Sequence, residues 1–172
     1  MKASRSTNQS RRFMPTAMAA GFAGGLAEVV WVGLYCALTP LAGQDVLREV
    51  ALASGFSGLP DAWLPAAGMG IHFALSLLVA VVLLAVGTRL LAPGLSRAAI
   101  LPASALALLG IWAMNFLLVL PWLAPRFVEL MPAGVTSASK LLFGLAMGTV
   151  VILAQANAEP GRLGGTGTIA AA

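Results

Sequence analysis

Cysteine is nearly absent, with Cys36 alone in the chain. No intramolecular disulfide can form and no thiolate cluster can hold a metal. An isolated free cysteine in an apolar run behaves as a small helix residue. Histidine is as scarce, with only His72. Charge is the third scarcity: Asp, Glu, Lys and Arg make up 9% of the residues, against roughly 25% in average soluble domains. The ten Lys and Arg are scattered or terminal, so no basic stripe with interleaved aromatics marks a nucleic-acid surface. No nucleophile–base pair, glycine-rich phosphate loop or pair of carboxylates points to an enzyme. One His, one Cys and no Met-rich loop motif make no metal-transport site.

What is present is apolar: 59% of the 172 residues are hydrophobic. A soluble domain of this size leaves too much of its chain in water to hide that much apolar surface. Soluble enzyme, disordered chain and nucleic-acid binder are excluded together, and an all-α integral membrane protein is left.

Four stretches are long enough to cross a hydrocarbon core of roughly 30 Å: 13–38, 66–86, 98–120 and 136–156. Pro40, Pro65, Pro121 and Pro132 stand near their ends, where proline is tolerated. The expected architecture is a four-helix transmembrane bundle over 13–156, with a basic cytoplasmic flank at 1–12 and a flexible cytoplasmic tail at 157–172. The flank carries Lys2, Arg5, Arg11 and Arg12 and no acid. It resembles the basic region of a signal peptide, and Ala17-Met18-Ala19 has the form of a cleavage site. The apolar run between them, 13–16, is too short for that role, so the segment is expected to stay on the protein.

With the N-terminus inside, seven basic residues fall on the inner face and three (Arg48, Arg126 and Lys140) on the outer. The cytoplasmic excess places both termini in the cytoplasm of a bacterial inner membrane. Trp63 and Trp122 then fall at the outer interface. The connection 88–97 is a short hairpin, so the second and third spans are expected to be antiparallel neighbours. In the outer loop, 45–55 reads as a short amphipathic helix on the membrane surface, capped by Asp45 and ended by Gly55. Trp31 and Trp112 are each followed by eight residues and then a proline, which suggests a duplicated helix pair.

Each span carries polar residues on a stripe of small ones, and such stripes let backbones approach. The first holds Gly21, Gly24, Gly25 and Glu28, with Trp31 and Tyr35 on the same face. The second holds Gly68, His72, Ser76 and Ala80. The third has Ser104 and Asn115, and the fourth Ser137, Lys140, Gly144 and Gly148. Counting about 1.5 Å per residue from the nearest proline puts His72, Asn115 and Lys140 about 9–12 Å below the outer boundary, and Glu28 about 18 Å. Lys140 is expected to snorkel outward. Glu28 tilts the other way, so no ion pair between them is expected, and an unpaired glutamate at mid-membrane is expected to carry its proton. The intramembrane candidates are therefore Glu28, Tyr35, His72, Ser76, Asn115 and Lys140.

Three runs carry a likeness to a known group: Trp31-Val32-Gly33 after the glycine-rich first span, His72-Phe73-Ala74-Leu75-Ser76, and Ser139-Lys140-Leu141-Leu142-Phe143-Gly144. In these the chain resembles the YagU-type small inner-membrane proteins of bacteria. It departs from them in lacking a basic residue before Trp31 and in having Leu145 where the relative has His. The resemblance implies a multi-span inner-membrane protein with a link to acid stress.

The expected function is that of a non-enzymatic accessory or interaction protein, without a cofactor. Its partners are the lipid bilayer and a second copy or a larger membrane complex. Two alternatives use the polar residues directly. One is a minimal proton-linked transporter, dimeric, working through Glu28 and His72. The other is a haem b anchor in which His72 is one axial ligand and a dimer mate or partner subunit supplies the second.

Overall fold

The computed structural model of the chain describes residues 3–90 and 95–157. Among these residues there is no strand. The elements are α1 (Ala3–Ala37), α2 (Gly43–Ala53), a 3-10 turn (Asp61–Trp63), α3 (Leu64–Leu90), α4 (Arg97–Met114), a π-helical turn (Asn115–Val119), α5 (Leu120–Leu123), α6 (Pro125–Leu130) and α7 (Ala133–Ala156). Four helical stretches are long and apolar enough to cross a membrane: Arg12–Ala37, Asp61–Arg89, Arg97–Leu123 and Ala133–Ala156. The chain is a four-helix bundle of the transmembrane kind. The basic flank continues α1 as helix from Ala3. The tail expected at 157–172 lies outside the described residues beyond Asn157, as does 91–94 in the α3–α4 connection.

The long helices are arranged α3–α1–α7–α4. α1 packs on α3 and on α7, and α4 packs on α7. The short α3–α4 connection does not make its two helices neighbours along their length, as hairpin length alone suggests. The reason lies in the small residues. Gly144 of α7 lets the backbone of α4 close in, since a Cβ there would stand 2.7 Å from Ala105 Cα. Gly21 of α1 does the same for α3 at Ser76 and Leu77. Such close seams are favourable in lipid, where packing rather than hydrophobic exclusion holds helices together. They draw α3 to α1 and α4 to α7, and leave α3 and α4 facing each other across a gap. Toward the chain termini the gap is closed by a core of Ala20, Ala80, Leu108, Phe143 and Met147.

α1 and α7 run antiparallel in constant register. Trp31 donates to the Val135 carbonyl at 3.0 Å, Glu28 meets Ser139 and Lys140, Gly24 abuts the Phe143 ring, and Arg12 meets the Asn157 carbonyl. By that register Pro132 stands level with Tyr35, not with Pro40. Depth counted from Pro40 is therefore too great for Glu28 by about five residues, or about 7 Å.

The opposite end carries α2 and α6. Val46 and Ala51 of α2 are buried, and Leu47 brings its backbone against Gly68 of α3, where any side chain would collide with it. α2 thus docks on the bundle and is not simply laid on the membrane surface. It begins two residues earlier than the sequence suggested, with Ala42 at the N-cap and no side-chain cap bond. Asp45 sits inside the first turn and is not the cap. Gly55 ends the helix as expected, at φ +89°, with Phe56 N–H donating to the Ala51 carbonyl and Gly55 N–H to that of Leu52. That pattern is the Schellman stop.

Pro121 does not end the third span, which runs through it to Leu123. Proline lacks an N–H and crowds the carbonyl four residues back, and the π turn at Asn115–Val119 absorbs this by widening the helix. The order of long helix, short helix, long helix occurs twice, as α1-α2-α3 and α4-α6-α7. The two matched tryptophans end on adjacent residues: Trp31 on Val135, and Trp112 on Thr136 Oγ1 at 3.0 Å. Trp63 and Trp122 are both exposed at the α2–α6 end.

Candidate functional site

The gap between α3 and α4 encloses a cavity of about 440 Å³. Its back wall is α1 and α7, and its side walls are α3 and α4. Leu108 and Phe143 of the core form its floor. Val46, Leu47 and Val50 of α2 and Phe127 of α6 form its roof. The roof halves are joined by Arg126 Nε and Glu49 Oε1 at 3.4 Å. Leu75 of α3 and Asn115 of α4 both line the cavity and are both exposed, so the cavity opens sideways between the two helices that do not pack.

Most of the lining is aliphatic or aromatic; Glu28, Thr136, Ser139 and Lys140 stand on the back wall, and His72, Ser76 and Asn115 on the side walls. Lys140 Nζ lies 2.7 Å from Glu28 Oε1 and 2.8 Å from Oε2. The expectation of two separate groups is thus overturned. The α1–α7 register puts them level, and the lysine bends toward the carboxylate instead of snorkelling. A buried carboxylate without a partner is costly, and the lysine supplies that partner. Ser139 Oγ lies 3.0 Å from Glu28 Oε1 and 2.8 Å from the Thr136 carbonyl. Its single proton serves one of these at a time. The lysine ammonium also stands 5.7 Å from the centre of the Phe143 ring.

His72 lines the cavity on α3, with Nε2 3.1 Å from the Gly25 carbonyl. A carbonyl only accepts, so Nε2 carries the hydrogen. Ser76 is buried one turn on and donates to the His72 carbonyl at 2.8 Å. Asn115 does not share a level with Lys140. Trp112 meets Thr136 and Ser104 meets Gly144, so Lys140 is level with Leu108, and Asn115 lies about 10 Å nearer the roof. Tyr35 is half-buried outside the cavity lining, and its carbonyl accepts from Thr39 Oγ1. Ser137 bonds back to the Gly134 carbonyl. The structure therefore gathers Glu28, Lys140, His72, Ser76 and Asn115 around one cavity and leaves Tyr35 out.

No family model, no curated protein and no solved structure matches the chain.

Sequence reasoning passed over Ser139, Thr136 and Trp112. Ser139 is one residue from Lys140 and was legible as part of the same run. Trp112 was singled out only as half of a repeat. Among the described residues no group of three or more His, Cys, Asp or Glu stands together. Every buried side-chain nitrogen and oxygen among them has a partner.

Proposed function

We propose that the chain is a non-enzymatic membrane protein that binds a small molecule in this cavity, as a receptor or carrier component of a bacterial inner membrane. The observation that carries the reading is the placement of the Glu28–Lys140 pair on the wall of an open cavity. The pair lies in the α1–α7 seam, between Gly24 on Phe143 and Trp31 on Val135. Both residues nevertheless line the cavity, and the Lys140 side chain keeps 27% of its surface exposed, more than a pair serving only to clamp two helices needs. A cavity of about 440 Å³ falls in the range of small-molecule sites, roughly 300–1,000 Å³, with few polar groups on an apolar lining. The three runs that resemble YagU-type proteins all supply residues to its wall: Val32 and Gly33, His72 and Ser76, and Ser139, Lys140 and Phe143. Acid stress is a setting that this likeness supports. The seven-to-three bias of basic residues supports cytoplasmic termini.

Proton-linked transport through Glu28 and His72 gains one specific support, that both line the same cavity. The haem alternative requires His72 Nε2 to leave the Gly25 carbonyl.

Native mass spectrometry of the protein released from its own membranes tests the binding reading. The wild-type chain should retain a small-molecule adduct at one per chain. A folded E28Q/K140M double variant should lose it. Bare wild-type protein under conditions that preserve lipid adducts, or equal adducts on both proteins, would refute the reading.

A further inference from the structure

Resting on that binding site, we infer that its ligand is a lipophilic organic cation, an ammonium or onium centre carrying apolar groups, which takes the place of Lys140 at Glu28 after passing between α3 and α4.

Three observations lead there. The first is an asymmetry in the pair. The Glu28 side chain is 5% exposed and the Lys140 side chain 27%. Glu28 is short and fixed on the deep wall, close to Ser139 Oγ at 3.0 Å. Lys140 is long, and its Cβ tilts toward the start of α7, which is the roof end. When a ligand separates the pair, lysine has a route to the interface and glutamate has none. An incoming anion would take Lys140 and strand a buried carboxylate. An incoming cation takes Glu28 and releases Lys140 outward, so the carboxylate is never left unpaired. The lysine is thus a resident stand-in for the ligand.

The second observation is the lining. Trp112, Phe116, Phe127 and Phe143 all face the cavity. Trp112 and Phe116 stack at 6.0 Å, and Phe116 meets Phe127 at 5.9 Å. Aromatic faces attract cations, most of all when the cation is desolvated. The Phe143 ring already stands near the lysine ammonium. Apart from the pair itself, His72 and Cys36 are the titratable lining residues.

The third is the opening. Leu75 near the floor and Asn115 near the roof both line the cavity and are exposed, on the two long helices that do not pack against each other. A molecule soluble in the bilayer reaches the cavity between them directly, whereas the roof of α2 and α6 covers the end. Lipid solubility and positive charge together define the class.

The experiment titrates labelled tetraphenylphosphonium onto the full chain in nanodiscs of neutral lipid, with tetraphenylborate as the anion of like shape. Wild type should bind the cation saturably at one per chain, and the borate should not compete. K140R holds both carboxylate oxygens more firmly through its guanidinium, and should bind about tenfold more weakly. K140M should bind about tenfold more tightly. E28Q/K140M, with unchanged helical circular dichroism, should show no saturable binding. Saturable borate binding that K140M abolishes would overturn the cation inference and leave the cavity reading in place. So would a retained native adduct on a protein that binds neither ion. Cation binding unchanged in the double variant would also overturn the inference.

Discussion

Lys140 reaches across from α7 to hold both oxygens of Glu28, at 2.7 and 2.8 Å, yet only one member of the pair is fixed in place. The carboxylate sits beside Ser139 on a wall it cannot leave, while the ammonium stands at the cavity surface. This makes the pair separable at one end, and the two residues should answer differently to replacement.

Lys140→Met leaves a buried carboxylate without a counter-ion and should destabilise the chain by about 3–5 kcal/mol. Glu28→Gln keeps the shape and an acceptor for Ser139 and frees a lysine that can swing outward, so about 1 kcal/mol is expected. The double variant removes both charges and should return to within about 1 kcal/mol of wild type. Thermal unfolding in one detergent, followed by circular dichroism, reads all four proteins. A double variant as unstable as the two single losses added would show that the residues do not act as a pair.

The glycine seams make a second expectation. At Gly144 an added Cβ would meet the α4 backbone at Ala105 and Ser104, 2.7–2.9 Å away. Backbone cannot rotate aside as a side chain can, so Gly144→Ala should cost about 1–3 kcal/mol. Gly110, one helix across, has nothing within 4 Å of such a Cβ. There alanine should be neutral or stabilise by up to about 1 kcal/mol, the ordinary helix preference. Equal effects at the two positions would mean that the α4–α7 contact is looser than the structure shows.

Much of this architecture is written in the residues one at a time. Apolar length gives the four spans, Gly55 stops α2, and the stripes through Gly21 and Gly144 mark the buried faces. What a single helix does not record is its register against another. Pro40 and Pro132 look like equivalent ends, and only the packing of Trp31 on Val135 shows them to be offset. That offset decides whether Glu28 meets Lys140. The gap was hidden for a similar reason: the hairpin 88–97 is short enough for neighbouring helices, and the contacts that separate them belong to Gly21 and Gly144 on other helices. Pro121 reads as a terminus because the compensating π turn has no sequence signal of its own.

The roof yields a third expectation. The Arg126 side chain is 77% exposed but that of Glu49 only 10%, so Arg126→Ala takes the partner from a largely buried carboxylate and should cost about 1–3 kcal/mol. The melting temperature should fall accordingly. A loss of that size raises the population with α2 and α6 apart by about fivefold or more. Cys36, the sole cysteine, lines the cavity beneath the roof, so its labelling by a charged maleimide should quicken in the variant. An unchanged rate would show that a charged, water-soluble probe does not reach Cys36 through the α2–α6 junction.

The last expectation is direction. Arg48 and Arg126 stand at the α2–α6 end, and the basic residues of the flank and of the α3–α4 connection belong to the other. If the excess of Lys and Arg marks the cytoplasmic side, α2 and α6 should lie outside. Trp63 and Trp122, both exposed at the roof end, suit an interface on that side. Gln44 lies in the first turn of α2 and Ser96 precedes α4, and both are exposed, so each accepts a cysteine without disturbing packing. In a Cys36→Ala background, a membrane-impermeant maleimide added to intact cells should label Gln44→Cys and spare Ser96→Cys until the membrane is opened. The reverse pattern would invert the bundle. The roof over the Glu28–Lys140 cavity would then face the cytoplasm, and a lysine released from Glu28 would swing toward the inner surface.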